Sequence, residues 1–332
     1  MQEQIKIMLR IIILGIACLC CFSCSGSKTD NQPTDFTIIR FDTDLYQYLT
    51  QNAPDSFLLN HSDFLSIFGE GILVIGNPDS AGFYSRLKEF FSEPTLMNIY
   101  KDEQEKFSDL SEINKELSNG LRIFLQQFPD IKPPKVYMHV SGFDRNVVVT
   151  DDILSLSADK YLGSDYPTYQ NFFQDYQRQL MSSERIVPDY LLGFMMANLP
   201  FFGDEDVLLD RMLYEGKLRY IISQLLPKRQ IWEYVAYNKE QYEWCNQHQS
   251  LFWNLILENN HLFNPDYLTT IQYLKEAPHT AFLPEQSPGK VGVWLGFQII
   301  SAYMKQKPKT KWMELMENTD YREILKQSKF KP

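Results

Sequence analysis

The chain has 332 residues, of which 44% are apolar and 14% aromatic; this is ample for a packed core and excludes a disordered protein. Its formal net charge of -10 weighs against a nucleic-acid-binding protein and against a basic patch for a membrane surface. One large domain or two small domains would fit this length.

The N-terminal segment is predicted to be a targeting signal. A basic end precedes an apolar run over residues 11–22, which is too short to form a stable bilayer-spanning anchor. A serine then precedes Cys24, which resembles the end of a bacterial lipoprotein signal peptide. We therefore predict a signal peptide over residues 1–23 and lipid attachment at Cys24. Cys18, Cys21 and an ordinary cleaved secretory signal are the alternatives.

The polar stretch that follows the cysteine is predicted to be a flexible tether. Residues 24–35 contain no large apolar side chain, as expected for a linker between a lipid and a folded domain. Residues 36–332 then form the globular domain. After lipidation at Cys24 the remaining thiol would be Cys245, so we expect no disulfide within the mature chain and no cysteine chemistry.

Hydrophobic periodicity predicts a small sheet flanked by helices. Strands are predicted over residues 37–40, 136–140, 147–150 and 153–156. Helices are predicted over residues 44–49, 57–68, 80–91, 100–128, 172–181, 190–199, 210–226, 232–236, 240–248, 251–259, 265–276, 289–305 and 312–315. The pattern indicates a single α+β domain that is mostly helical and carries a small β-sheet.

The helix over residues 210–226 carries the most informative polar pattern. Arg211, Glu215 and Arg219 follow at i, i+4 and i+8, so one carboxylate is expected between two guanidinium groups on one helix face. Gly216 lowers helix propensity by roughly 1 kcal/mol against alanine, which suggests that another element packs closely there. The helix is expected to end before a proline, which cannot continue it.

Glu215 has two interpretations. In zinc peptidases of the gluzincin kind, a Glu-Gly pair on a buried helix supplies the third metal ligand, after a His-Glu-x-x-His helix. In the other interpretation Glu215 is a structural carboxylate neutralised by its arginines. No two histidines of the chain are spaced i, i+4, and the i, i+3 pair Glu258 and His261 lacks the second copy of a di-iron site. We therefore predict no metal and no cofactor.

Other candidate sites are weaker. The chain has no nucleophile elbow, no P-loop and no dinucleotide-binding glycine pattern. Loop carboxylates could supply an acid and a base, but Asp189 in a first helical turn favours a structural role. Possible ligand or partner contacts are Tyr161, Asp165, Tyr166 and Trp294. Helical glycines near Trp294, Gly292 and Gly296, are expected to let another helix approach closely.

Several motifs along the chain together resemble one family, the GldB-like gliding motility lipoproteins. They are Arg40-Phe41-Asp42, residues 161–163 with 165–167, residues 186–189, residues 208–220, and residues 287–304. The resemblance implies a lipid-anchored accessory protein of the cell envelope. It also implies an element order like that of a degenerate zincin, or gluzincin-like metallopeptidase. The family defines no catalytic residue.

The leading hypothesis is thus a non-catalytic envelope lipoprotein of the gliding motility apparatus, associated with the secretion machinery of the same cells. Its expected partners are the inner or outer membrane, through the lipid, and an envelope protein; no nucleic acid is expected. An envelope hydrolase that uses carboxylates with Tyr161, Tyr166 or Tyr169 is one alternative. A lipoprotein that binds a small ligand in this tyrosine-rich loop is another.

Overall fold

The computed structural model of the chain describes residues 35–51 and 53–332. The predicted signal peptide, Cys24 and the tether up to residue 34 lie outside the described residues. Strands span Ile39–Arg40 (β1), Lys135–His139 (β2), Val147–Val149 (β3) and Ile153–Ser157 (β4). α-Helices span Phe41–Thr50 (α1), Ser62–Ser66 (α2), Phe83–Phe90 (α3), Pro94–Lys106 (α4), Ser111–Gln127 (α5), Asp175–Arg178 (α6), Ile186–Asn198 (α7), Leu208–Leu225 (α8), Lys239–Glu258 (α9), Tyr267–Leu274 (α10), Val291–Gln306 (α11), Trp312–Glu317 (α12) and Tyr321–Ser328 (α13).

Short irregular helices join these elements. The 3-10 helices are Asp55–His61, Ala158–Lys160, Pro167–Asn171, Ser183–Arg185 and Ile231–Val235, and a π-helix spans Ile67–Ile72. None of the helices in the described part of the chain is long and apolar enough to cross a membrane.

The four strands form one sheet in the order β1-β2-β4-β3. Strands β1, β2 and β4 run parallel to one another, and the edge strand β3 pairs antiparallel with β4. Successive side chains point to opposite faces, so Tyr137 and Ile153 enter one hydrophobic cluster while Met138 and Leu154 enter another. The sheet predicted from the sequence is therefore confirmed, with both faces covered.

Each face of the sheet carries its own core. The helices α1 to α4 cover one face, where the Phe41 ring packs edge-on against the rings of Phe64 and Phe68 at centroid distances of 4.9 Å. Helix α7 packs against the other face, and α5, α8 and α11 extend the same cluster behind it. Both clusters and all four strands lie within residues 35–332, so this segment contains the whole described core. The predicted mostly helical α+β domain is confirmed.

Helices α8 and α11 approach each other through two glycines. A Cβ atom added to Gly216 would lie 2.2 Å from the carbonyl oxygen of Gly296, and one added to Gly296 would lie 1.9 Å from that of Met212. Gly292 meets α10, where an added Cβ would lie 2.9 Å from the Tyr273 oxygen. The close approach predicted at Gly216, Gly292 and Gly296 is confirmed, because only a hydrogen side chain fits such backbone contacts.

Several predicted helix boundaries were wrong; the helix predicted over residues 57–68, for example, is divided into a 3-10 helix, α2 and a π-helix that runs on to Ile72. The region predicted as one helix over residues 100–128 is divided between α4 and α5, and in the turn between them the Asp109 carboxylate accepts the backbone N–H of Ser111 at 2.8 Å. Conversely, α9 continues through Gln249 and Ser250, where a break was predicted. These polar residues lie toward solvent and do not interrupt its hydrogen bonds. Helix α13 was missed.

Candidate functional site

The polar row of α8 forms two separate ion pairs. Arg219 Nη2 lies 3.4 Å from Glu215 Oε2, and both side chains are about nine-tenths buried. Arg211 Nη1 instead lies 3.0 Å from Glu205 Oε2, with its guanidinium 4.8 Å from the centre of the Phe201 ring. The predicted arrangement of Glu215 between two guanidinium groups was therefore wrong for Arg211, because the loop before α8 offers it a nearer carboxylate and an aromatic face.

Arg219 lines a cavity of about 360 Å³, which we name the α7–α8 cavity. Helix α7 contributes Asp189, Leu192, Gly193 and Met196, and the edge strand β3 contributes Val147. Four basic and two acidic side chains line it: Lys160, Arg185, Arg219, Lys290, Asp189 and Glu276. The lining side chains therefore include more basic than acidic groups, although the whole chain is acidic and Arg219 is paired with Glu215.

The acidic side chains of this cavity are already engaged. Asp189, in the first turn of α7, accepts a hydrogen bond from Tyr161 Oη at 3.0 Å and pairs with Arg185 Nη2. Glu276 pairs with Lys290 Nζ, which is almost completely buried. Each carboxylate thus neutralises one cation. Arg219, paired at 3.4 Å with Glu215, has two further nitrogens, Nε and Nη1, that are buried without a hydrogen-bond partner among the described residues.

The ionisation of the cavity residues reflects burial and crowding of positive charge. Burial lowers the pKa of Lys290; Glu276 opposes this, while Arg219 and Arg185 lower it further. Burial also lowers the pKa of Lys160, which Asp159 partly counteracts. These directions mean that the ammonium groups lie where additional negative charge would be stabilising.

The structure places the other predicted contact residues elsewhere. Tyr166 Oη donates to Asp102 at 2.7 Å, outside the cavity, and Asp165 is exposed. The Trp294 indole is fully buried in the core, so no part of it is at the surface. Of the predicted site residues, the cavity brings together Tyr161 and Arg219. Sequence reasoning missed Lys160, Arg185, Lys290 and Glu276 as members of one site.

A weak signal for two of the missed cations exists in the sequence. Arg185 directly precedes the motif over residues 186–189, and Lys290 directly follows Ser287-Pro288-Gly289. In the structure Arg185 is the residue before α7 and Lys290 the residue before α11. A basic residue at the start of two motif-bearing helices could therefore have been singled out, although nothing in the spacing says that the two helix starts meet.

The motif Arg40-Phe41-Asp42 serves packing around the first helix. The Arg40 guanidinium donates to Asp42 Oδ2 at 2.6 Å and to the Phe107 carbonyl at 2.6 Å, and Phe41 is fully buried. Burial, then the neighbouring Asp42 carboxylate, raises the pKa of the enclosed Glu103 well above its usual range. Glu103 therefore lies enclosed beside the ion pair that fixes the chain between β1 and α1.

Metal-ligating side chains do not gather in the described residues. Across residues 35–51 and 53–332, no three histidine, cysteine or acidic side chains lie together as metal ligands would. Helix α7, which precedes the Glu215 helix, contains no histidine, and the Glu215 carboxylate already has the Arg219 guanidinium beside it. The residues at Glu215 therefore do not fit the zinc site that a gluzincin-like fold would imply.

Comparison with known proteins identifies the family. The family model described as gliding motility protein GldB matches residues 25–332, nearly the whole of the chain. No curated protein matches the chain, and no solved structure does. The chain belongs to the GldB family, and this membership supports a gliding-motility-associated lipoprotein of the cell envelope.

Proposed function

We propose that this member of the GldB family is a lipid-anchored, non-catalytic accessory protein of the gliding motility apparatus. The observation that carries the proposal is the family match over residues 25–332, which begins directly after the predicted lipidated residue, Cys24. In this proposal the lipid holds the protein on the inner or outer membrane, and the folded domain binds an envelope protein, associated with the secretion machinery of the same cell.

The non-catalytic part of the proposal rests on how the polar groups of α8 are used. Glu215 faces Arg219, while Gly216 accommodates the backbone of α11. The element order of a sheet, then α7, then the Glu-Gly helix is the one expected of a gluzincin-like layout, which we retain as a proposal. In such a layout the guanidinium of Arg219 would take the place of a metal cation as the partner of the carboxylate.

The experiment is a spreading assay on agar with the bacterium that carries this gene. We expect that deletion of the gene abolishes spreading and that the wild-type gene restores it. A Cys24→Ser variant should accumulate outside the membrane fraction and fail to restore spreading. Cys18→Ser, which alters a cysteine within the predicted signal, is the matched control and should restore it. Normal spreading of the deletion strain would refute the motility role.

A second candidate function, hydrolysis of peptide or cell-wall substrates, is favoured by one contact. The Tyr161 hydroxyl donates to the Asp189 carboxylate at the wall of a cavity, which places an acid–base pair beside a space for substrate. If this alternative holds, purified residues 25–332 should cleave such substrates and Tyr161→Phe should abolish cleavage. A Tyr166→Phe variant, altered outside the cavity, is the control.

A further inference from the structure

We propose that the α7–α8 cavity binds a small organic anion, with its carboxylate or phosphate group among Arg219, Arg185 and Lys290 and its apolar body against α7 and β3. The inference does not depend on the motility role. It begins from charge: a chain with a formal net charge of -10 concentrates four basic side chains around one cavity of about 360 Å³, against two lining carboxylates and Glu215, which is paired with Arg219.

The guanidinium of Arg219 supplies the strongest reason for an anion. The side chain is nine-tenths buried, and its Nε and Nη1 groups have no acceptor among the described residues. Leaving buried charged donors without an acceptor costs free energy, so such groups are normally satisfied. The single carboxylate beside it, Glu215, reaches only Nη2 and only at 3.4 Å. An anion in the cavity would supply acceptor oxygens for the donors that Glu215 leaves without a partner.

The start of α11 adds to the positive potential. Lys290 immediately precedes α11 and lines the cavity, as does Arg185 in the 3-10 turn that runs into α7. The first backbone N–H group of α11 donates to Thr280 Oγ1 at 3.0 Å, so this helix end contributes through its dipole, which favours an anion. The two cations and this helix start therefore act in the same direction.

The rest of the wall defines the kind of anion. Val147, Leu192 and Met196 give an apolar side to the cavity, and Phe173 also lines it. A volume of about 360 Å³ lies at the small end of the range for ligand pockets, roughly 300–1,000 Å³. The cavity therefore suits a small anion with a short aliphatic or aromatic body.

The test is isothermal titration of purified residues 25–332, which contain the whole described core, with four probes of one body length. The probes are hexanoate, hexyl phosphate, hexylammonium and hexanol. We expect hexanoate or hexyl phosphate to bind, the tighter of the two identifying the preferred head group, while hexylammonium and hexanol do not. Equal binding of hexanoate and hexylammonium, or no binding of either anion, would overturn the proposal.

Variants locate the site. Lys290→Gln is expected to weaken anion binding about tenfold or more, because it removes one charge-assisted contact. Its partner Glu276 is half exposed and stays hydrated, so folding should persist. The double variant Glu215→Gln/Arg219→Gln removes both charges of one pair and should weaken binding similarly. Lys135→Gln, which breaks an exposed pair with Asp63 outside the cavity, is the matched control. Unchanged affinity in both cavity variants would place the anion elsewhere.

Discussion

The contact between α8 and α11 gives the sharpest prediction about stability. In Gly296→Ala, the added Cβ would lie 1.9 Å from the carbonyl oxygen of Met212 and 2.8 Å from its carbonyl carbon. Both are backbone atoms in the middle of a helix, so no side-chain rotation relieves the contact. The helices would have to separate by more than an ångström, and this would loosen the buried packing around Trp294, which is fully buried on the same helix.

The magnitude follows from two opposed effects. Replacing glycine by alanine in a helix is worth about 1 kcal/mol of propensity in favour of the variant. Overpacking a rigid contact costs typically 1–3 kcal/mol, and more where only backbone can move. Because only backbone can move here, we take the upper end of that cost, about 3 kcal/mol, and subtract about 1 kcal/mol of propensity. We therefore expect Gly296→Ala to lower the free energy of unfolding by about 2 kcal/mol, which corresponds to a fall in Tm of roughly 3–5 °C for a domain of this size.

Denaturant titration of residues 25–332 followed by circular dichroism measures this change. Gly71→Ala is the matched control, because Gly71 is exposed and an added Cβ meets no atom within 4 Å. The free energy of unfolding of this control should equal that of the wild type or exceed it by up to about 1 kcal/mol. If Gly296→Ala were as stable as Gly71→Ala, the close approach of the two helices would be refuted.

Burial lowers the pKa of His139 to about 3, so below pH 6.5 the unfolded chain binds a proton that the folded chain excludes. The free energy of unfolding is therefore not reduced by this group above pH 6.5, and it falls as the pH is lowered toward 3, by about 2 kcal/mol at pH 5. Glu103, with its raised pKa, acts in the opposite sense, so the difference between wild type and His139→Gln is the quantity to measure by denaturant titration; a parallel pH dependence would contradict the assignment. Burial also raises the pKa of the Cys245 thiol, and we expect iodoacetamide at pH 8 to label it only after unfolding. Rapid labelling of the native protein would contradict the burial of this thiol. Finally, Tyr169→Phe should cost about 1–3 kcal/mol in thermal unfolding, because its hydroxyl donates to the Asp159 carbonyl and accepts from the Leu162 N–H; an unchanged Tm would argue against this.

The features that sequence reasoning anticipated are local ones. Helix α8 ends at Leu225, two residues before Pro227, because the ring of proline removes the donor that a further turn needs. The close contact at Gly216 was predicted correctly. The reasoning was that a glycine inside a helix lowers the stability of that helix unless another element must approach it closely. Strands β2 and β4 could be predicted because each is a short run rich in apolar residues with turn residues on both sides.

The features that it missed depend on contacts between distant segments. Arg211 was predicted to face Glu215 from helical spacing alone, but Glu205 comes from the preceding loop, whose path the spacing does not determine. The cavity cations Lys160, Arg185 and Lys290 come from three separate segments of the chain, which the fold brings to the wall of one cavity. Periodicity describes faces of single helices and carries no information on such convergence.

The central claim is that Glu215 contributes to the structure and not to catalysis, and one variant tests it directly. We expect Glu215→Gln to lower the free energy of unfolding by about 1–3 kcal/mol, because Arg219 would lose its buried partner. Neither the wild type nor the variant should cleave peptide or cell-wall substrates. Hydrolysis by the wild-type protein that disappears in a Glu215→Gln variant of unchanged stability would contradict the claim.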